Sequence, residues 1–118
     1  MTIKTVIASQ SIESRTLLEN VLRSSEFETV FVGSSLKKLL VETSLNTPEL
    51  IVISIDTADS HLLEQLRIIH QQYPLPIVIF AQDDSDDAID KFIKAGVSAY
   101  VVDGLIEHRI LAILKTAV

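Results

Sequence analysis

The chain has 118 residues, 47% of them hydrophobic and 22% charged, which indicates one globular domain (1–118) with its own core. The formal net charge of −6 argues against a nucleic-acid-binding face, and the absence of cysteine excludes disulfides, a thiol nucleophile and thiolate zinc sites. No apolar run approaches a membrane span and no signal-peptide pattern opens the chain, so we expect a cytoplasmic protein that binds no membrane.

Strand-like runs alternate with helical patterns along the whole chain. The runs are nearly continuous in apolar residues and rich in Val and Ile, as is typical of parallel strands buried on both faces. In chain order the predicted strands are Ile3–Ala8, Thr29–Val32, Leu50–Ile55, Ile77–Phe80 and Ala99–Val102. Alternation of this kind with short links predicts a doubly wound α/β domain.

A helical stripe of apolar residues follows each predicted strand, and each stripe has a start signal nearby. In chain order these signals are Ser11, Ser34 or Ser35, Asp59 or Ser60, Ser85, and Asp103 or Gly104. Gly96 is expected to end the fourth helix in a left-handed conformation. Pro74 and Pro76 are expected to end the third helix and introduce the fourth strand.

Ligands of such sheets bind at the carboxyl ends of the strands, so the loops there are where a functional site is expected. No loop has a Gly-rich phosphate cradle, and the polar loop Ser9-Gln10-Ser11 lacks the aromatic clamp of a flavin site. The acids Asp83, Asp84, Asp86 and Asp87 are interpreted as complementing a helix dipole rather than binding a metal. The histidines His61, His70 and His108 are interpreted as surface or boundary residues. We therefore predict no cofactor, no metal site and no catalytic residue.

Several segments resemble a known family. The run 95–105 (AGVSAYVVDGL) followed by Arg109, the runs 48–53 and 76–80, and Arg15 are similar to receiver domains of two-component response regulators. The run 95–105 most resembles the N-terminal domain of ANTAR-type nitrate-regulatory antiterminators. The resemblance implies a flavodoxin-like (CheY-like) fold with five parallel strands in the order 2-1-3-4-5.

The resemblance also implies where a phosphorylation site would lie. A receiver accepts a phosphoryl group on an aspartate that ends the third strand, assisted by an acid pair that holds Mg²⁺, a hydroxyl and a lysine. The acid pair falls on Ser9 and Gln10, the acceptor on Ser54, the hydroxyl on Ala81 and the lysine on Asp103. Every position departs from the family pattern, so we predict a degenerate pseudo-receiver.

Two further readings of these positions stay open. Asp56 keeps a carboxylate two residues beyond Ser54 and is a candidate displaced acceptor. A flavodoxin-like enzyme or binding protein would use the loops after strands 1 and 3 for a small molecule. That reading requires a closed pocket around Ser9, Gln10, Ser54 and Asp56, whereas a filled surface favours an interaction module.

By its resemblance, the chain is expected to act through protein contacts in phosphorelay signal transduction, controlling transcription antitermination in nitrate assimilation. The expected partner is a sensor or an RNA-binding helical output domain of the same protein, which is absent from these 118 residues. We expect the chain to be either an excised domain or a stand-alone module. In isolation it is expected to be a monomer or to form a weak homodimer. The residues predicted to contact a partner are Asp87, Lys91, Lys94, Tyr100, Ile106 and Arg109. Tyr100 matches the aromatic position that reports activation in receivers, and we interpret it as a static packing residue.

Overall fold

A computed structural model describes residues 2–23, 25–57, 60–103 and 105–118. The strands are β1 (Ile3–Ser9), β2 (Phe27–Gly33), β3 (Leu50–Ile55), β4 (Ile77–Ala81) and β5 (Ala99–Val102). The helices are α1 (Ile12–Leu22), α2 (Leu39–Asn46), α3 (Ser60–Gln72), α4 (Asp86–Lys94) and α5 (Glu107–Ala117). None of the described helices is long and apolar enough to span a bilayer.

All five strands are parallel and form one sheet in the order β2-β1-β3-β4-β5, as predicted. Every residue of β3 and β4 is buried, which explains their continuous apolar sequences. One core layer packs α2, α3 and α4 on the sheet through residues such as Leu39, Leu66 and Phe92. The other packs α1 and α5 through Leu18 and Ile110. The sheet is therefore covered on both faces.

The predicted bounds of β3 and β5 agree with the structure, whereas β1 and β4 each extend by one residue, and β2 begins two residues earlier and ends one residue later. Phe27 and Glu28 were not included in the predicted second strand because a charge interrupts the apolar run there. They pair with Ile3 and Lys4 of β1, and the buried Phe27 ring anchors this extension in the core. Tertiary pairing thus lengthens the strand beyond its apolar signal.

Two helix starts are confirmed by their capping hydrogen bonds. Ser11 Oγ accepts from the Ser14 N–H (3.2 Å), and Ser85 Oγ accepts from the Ala88 N–H (3.2 Å). Ser35 precedes a 3₁₀ turn, Leu36–Lys38, without making a side-chain cap, and α2 begins only after that turn.

The start predicted for the fifth helix is wrong at Asp103. This residue has a left-handed backbone (φ 54°), and the N-cap is Ile106. The backbone N–H of Asp103 donates to the Ala81 carbonyl (3.1 Å), so a tertiary bond holds the residue at the strand end. Two candidate start residues, Asp59 and Gly104, lie outside the described residues. Ser60 is the first residue of α3.

Gly96 ends α4 in the left-handed conformation that the sequence predicted (φ 101°). The Gly96 N–H donates to Ile93 O (3.1 Å) and the Val97 N–H donates to Phe92 O (3.2 Å), the two bonds of a Schellman motif. A Cβ built on Gly96 would lie 2.3 Å from the His70 ring of α3. Both the backbone and the neighbouring helix therefore require glycine here.

Candidate functional site

The carboxyl ends of the strands bring the predicted site positions together at one edge of the sheet. Ser9 at the end of β1 is in register with Ser54 of β3, and Ile55 is in register with Ala81 at the end of β4. The Asp103 N–H bond to Ala81 O joins the loop after β5 to the same edge. The positions predicted for a phosphorylation site are thus neighbours at this edge.

The space between the loops after β1 and β3 is nearly filled. Its cavity measures about 20 Å³, room for about one water molecule. Ser9 is 1% exposed and Ser54 is 7% exposed, so both hydroxyls lie within the packed edge of the sheet. The lining residues are Ser9, Gln10, Ser11, Ser54, Ile55 and Asp56. Of these, Asp56 alone carries a carboxylate.

The loop after β1, where the acid pair was predicted, is held in place by hydrogen bonds to Ser9. The Ser11 N–H donates to Ser9 Oγ (3.1 Å), which fixes the turn into α1. The Arg15 guanidinium donates to the Ser9 carbonyl (2.6 Å) and thereby places a positive charge at the end of β1. A cation here disfavours a second, divalent one through like-charge repulsion.

Cation ligands do not converge elsewhere in the described parts of the chain. Within residues 2–23, 25–57, 60–103 and 105–118, no group of three His, Asp or Glu side chains is arranged to hold a metal ion. The acidic cluster after β4 is instead engaged locally: Asp83 Oδ1 accepts from the Ser85 N–H (3.0 Å), and Asp86 and Asp87 lie in the first turn of α4. The absence of Mg²⁺ binding remains a prediction.

Tyr100 ties β5 to the loop after β4. Its ring stacks on Phe92 of α4, with centroids 5.3 Å apart and planes at 28°. Its hydroxyl donates to the Asp83 carbonyl (2.7 Å). Partial burial raises the pKa of the Tyr100 phenol above its ordinary value, and the charges of Asp83 and Asp84 raise it further. The neutral, hydrogen-bonded phenol is therefore the stable form.

The residues predicted to contact a partner lie on α4, β5 and the start of α5. Lys91 pairs with Asp87 (3.0 Å) and Lys94 with Asp90 (2.9 Å), both within α4. On the same elements, Ile93 of α4 is 49% exposed and Ile106, the N-cap of α5, is 38% exposed, while Arg109 is exposed on α5. Tyr100 is half-buried and engaged with the loop after β4. The face thus combines internally paired charges with apolar area.

A second, larger cavity lies on the β2 side of the same edge, and the sequence interpretation missed it. It measures about 320 Å³ and is lined by Gln10, Ser34, Ser35, Leu36, Lys37, His61, Leu62 and Gln65. His61, interpreted from the sequence as a surface or boundary residue, is one of these lining residues. The sequence signal for this cavity was the pair of hydroxyls, Ser34 and Ser35, followed by Lys37 directly after the second strand. Nothing in the sequence marked Gln65 as a lining residue.

No family model and no curated protein sequence matches the chain. Solved structures match its fold. The response regulator domain of Thermotoga maritima CheB superimposes with a TM-score of 0.82 at 15% identity, covering 99% of this chain and 96% of that one. The chain has the fold of a receiver domain.

Two further structures agree with this assignment. The signal receiver domain of a modulated diguanylate cyclase from Desulfovibrio desulfuricans G20 matches with a TM-score of 0.84 at 11% identity, covering 99% of this chain and 94% of that one. The receiver domain of the putative response regulator NarL from Mycobacterium tuberculosis matches with a TM-score of 0.82 at 12% identity, covering 98% and 96%. At these identities the receiver likeness establishes the fold, and function has to be argued from the site.

Proposed function

We propose that the chain is a receiver-like regulatory module of signal transduction that accepts no phosphoryl group, catalyses no reaction and acts through protein contacts. The observation that carries the proposal is the filled edge of the sheet. Ser9 and Gln10 stand at the predicted acid positions and Ser54 at the predicted acceptor position, around a cavity of about 20 Å³. Alanine and aspartate stand at the hydroxyl and lysine positions, Ala81 and Asp103.

The substitutions reinforce one another chemically. Without converging carboxylates a Mg²⁺ ion lacks its oxygen ligands, and without the ion the charge of a transferring phosphoryl group is not offset. The exposed carboxylate of Asp103 repels an incoming phosphate, where a lysine would attract it. A serine hydroxyl without an activating base is a poor nucleophile. The same small cavity argues against a small-molecule site between the loops after β1 and β3, because ligand pockets usually measure roughly 300–1,000 Å³.

The engagement of Tyr100 also supports a module that phosphorylation does not switch. Its hydroxyl holds the loop after β4 and its ring packs on α4. Turning the side chain would break the bond to Asp83 and the contact with Phe92. No acceptor chemistry at Ser54 is available to offset that loss.

Phosphorylation is tested by incubating the protein with acetyl phosphate or a phospho-histidine donor and Mg²⁺, followed by intact-mass spectrometry. We expect no adduct, while an ordinary receiver treated in parallel gains one phosphoryl group. A stoichiometric phospho-adduct on Ser54 or Asp56 refutes the proposal. Peptide mapping of such an adduct would distinguish the two residues.

We propose that the partner face is formed by α4, β5 and the start of α5. Because Lys91 is already paired with Asp87, its charge adds little to association, and the apolar area around Ile93 and Ile106 supplies the affinity. Self-association would use this face across a two-fold axis and be weak.

Sedimentation velocity tests the partner face. We compare wild type with Lys91→Glu, Arg109→Glu and Ile106→Asp, and expect Ile106→Asp to weaken a dimer most. Lys115→Glu is the matched control, since Lys115 lies in the last turn of α5 and pairs with Glu26 beside β2. If a dimer forms and neither a reversal nor Ile106→Asp weakens it, the face is wrongly assigned.

The finer proposal is control of transcription antitermination in nitrate assimilation, with an ANTAR RNA-binding output domain in the same protein or a sensor as partner. It is supported by the resemblance of the run 95–105 to that family. The neighbouring coding sequence tests it. An in-frame helical tail or an adjacent nitrate-sensor or transporter operon is expected, and a genomic context with neither contradicts the proposal.

A further inference from the structure

The cavity between the loop after β2 and the first turns of α3 has the properties of a ligand pocket. Its volume of about 320 Å³ falls within the range of small-molecule sites, roughly 300–1,000 Å³. Leu36 and Leu62 are buried, and their side chains give the pocket an apolar lining. The other lining side chains are polar and come from three different segments, so they converge on one space.

Hydrogen bonds hold the walls of this pocket in place. The Gln65 Nε2 of α3 donates to the Leu36 carbonyl (2.6 Å), and the Leu40 N–H donates to Gln65 Oε1 (3.2 Å). One side chain thus joins α3 to the 3₁₀ turn and to the start of α2. Because these side chains are already ordered, binding of a ligand would lose less conformational entropy than at a mobile site.

The charge of the pocket differs from that of the whole chain. The protein carries a net charge of −6, yet none of the residues lining the pocket has a carboxylate among those the structure describes. Lys37 contributes an ammonium group, His61 an imidazole, and Ser34 and Ser35 contribute hydroxyls. Ammonium and hydroxyl donors around an apolar lining are suited to an oxyanion on a short carbon body.

We infer that this pocket binds a small organic oxyanion, a phosphate or a carboxylate on a short carbon skeleton, with Lys37 as its charged contact. Gln10 lines both this pocket and the small cavity between the loops after β1 and β3. An occupant therefore contacts the loop that follows β1. The inference stands apart from the proposed lack of phosphorylation, which a different measurement tests.

Titration of ¹⁵N-labelled protein with inorganic phosphate, glycerol 3-phosphate and succinate, at constant ionic strength, tests the pocket by amide chemical shifts. We expect saturable shifts at residues 34–37 and 61–65 with a dissociation constant on the order of millimolar. Saturation by the two phosphates alone identifies a phosphate ligand, and saturation by succinate alone identifies a carboxylate ligand. Saturation by all three indicates a general oxyanion site.

Adjacent lysines provide a matched pair of variants. Lys37 lines the pocket and Lys38 does not, although both are exposed in the same 3₁₀ turn. Lys37→Glu is expected to weaken binding by about tenfold or more, and Lys38→Glu by less than about twofold. The inference is overturned if no probe gives saturable shifts, or if Lys38→Glu weakens binding as much as Lys37→Glu. Intact-mass data on phosphorylation are unaffected by either result.

Discussion

The bond between Tyr100 and the loop after β4 can be removed by a single-atom change. Tyr100→Phe deletes the hydroxyl that donates to the Asp83 carbonyl (2.7 Å) and leaves the ring on Phe92. The apolar area is unchanged, so the loss is that of one half-buried neutral hydrogen bond, about 0.5–1.5 kcal/mol. For a domain of this length, 1 kcal/mol corresponds to a fall in Tm of roughly 3–6 °C.

Urea denaturation is the assay, because it separates a change of midpoint from a change of slope. We expect Tyr100→Phe to lower the midpoint with the slope unchanged. Tyr73→Phe is the control: Tyr73 is also half-buried, and its hydroxyl makes no hydrogen bond to the described residues. Amide hydrogen exchange should rise in the loop at residues 82–85 in Tyr100→Phe alone.

The reasoning is refuted if Tyr100→Phe unfolds at the wild-type midpoint and the loop amides exchange at the wild-type rate. In that case the loop would be held by the packing of α4 and not by the phenol. A lowered midpoint with unchanged loop exchange would also refute it, because the bond would then stabilise the domain without restraining the loop.

Three other outcomes are expected. Gly96→Ala should lower the free energy of unfolding, measured by urea denaturation, by about 1–3 kcal/mol because alanine disfavours the positive φ of this residue. Adding His70→Ala should recover only the share of this loss that comes from the clash with the His70 ring. Because the folded pKa of Tyr100 is raised, its contribution to stability is complete below the ordinary tyrosine pKa of about 10 and is lost as pH rises through the raised value. Ultraviolet titration of Tyr73→Phe should show the late ionisation of Tyr100; ionisation at the ordinary pKa would contradict it. Ser54→Asp should lower Tm at neutral pH relative to Ser54→Asn, because a carboxylate at this buried position has no cation to balance its charge. Millimolar Mg²⁺ should not restore the Tm, and restoration would reveal a working cation site.

Most element bounds follow from local signals in the sequence, whereas the strand order was implied by the resemblance to receiver domains. The run Leu50–Ile55 is apolar throughout because both faces of β3 are covered, and no other element type fits a run of that length. Ser11, Ser85 and Gly96 act through hydrogen bonds within a few residues, so their roles are visible in sequence. Such features depend little on the rest of the fold.

Features set by distant contacts were not predictable. Asp103 resembles a helix cap, but its N–H is held by Ala81 and its backbone turns left-handed. Gln65 acts on Leu36, 29 residues away, through an amide that no periodicity marks. The larger cavity therefore had no sequence signature as a whole, since its lining is assembled from three segments. The juxtaposition of Ser9 and Ser54 at one edge of the sheet was predictable, because both residues lie near the ends of predicted strands.

The outer strand β2 has a consequence for the behaviour of partly opened molecules. Among the described strands it pairs with β1 alone, so its other edge has no strand partner. Its sequence, FETVFVG, contains a single charge at Glu28, and Phe31 has high β-propensity. In a partly opened molecule, this unpaired edge is a template for strand addition by another chain. Concentrated or heated samples are therefore expected to aggregate through intermolecular β-structure beginning at Phe27–Gly33.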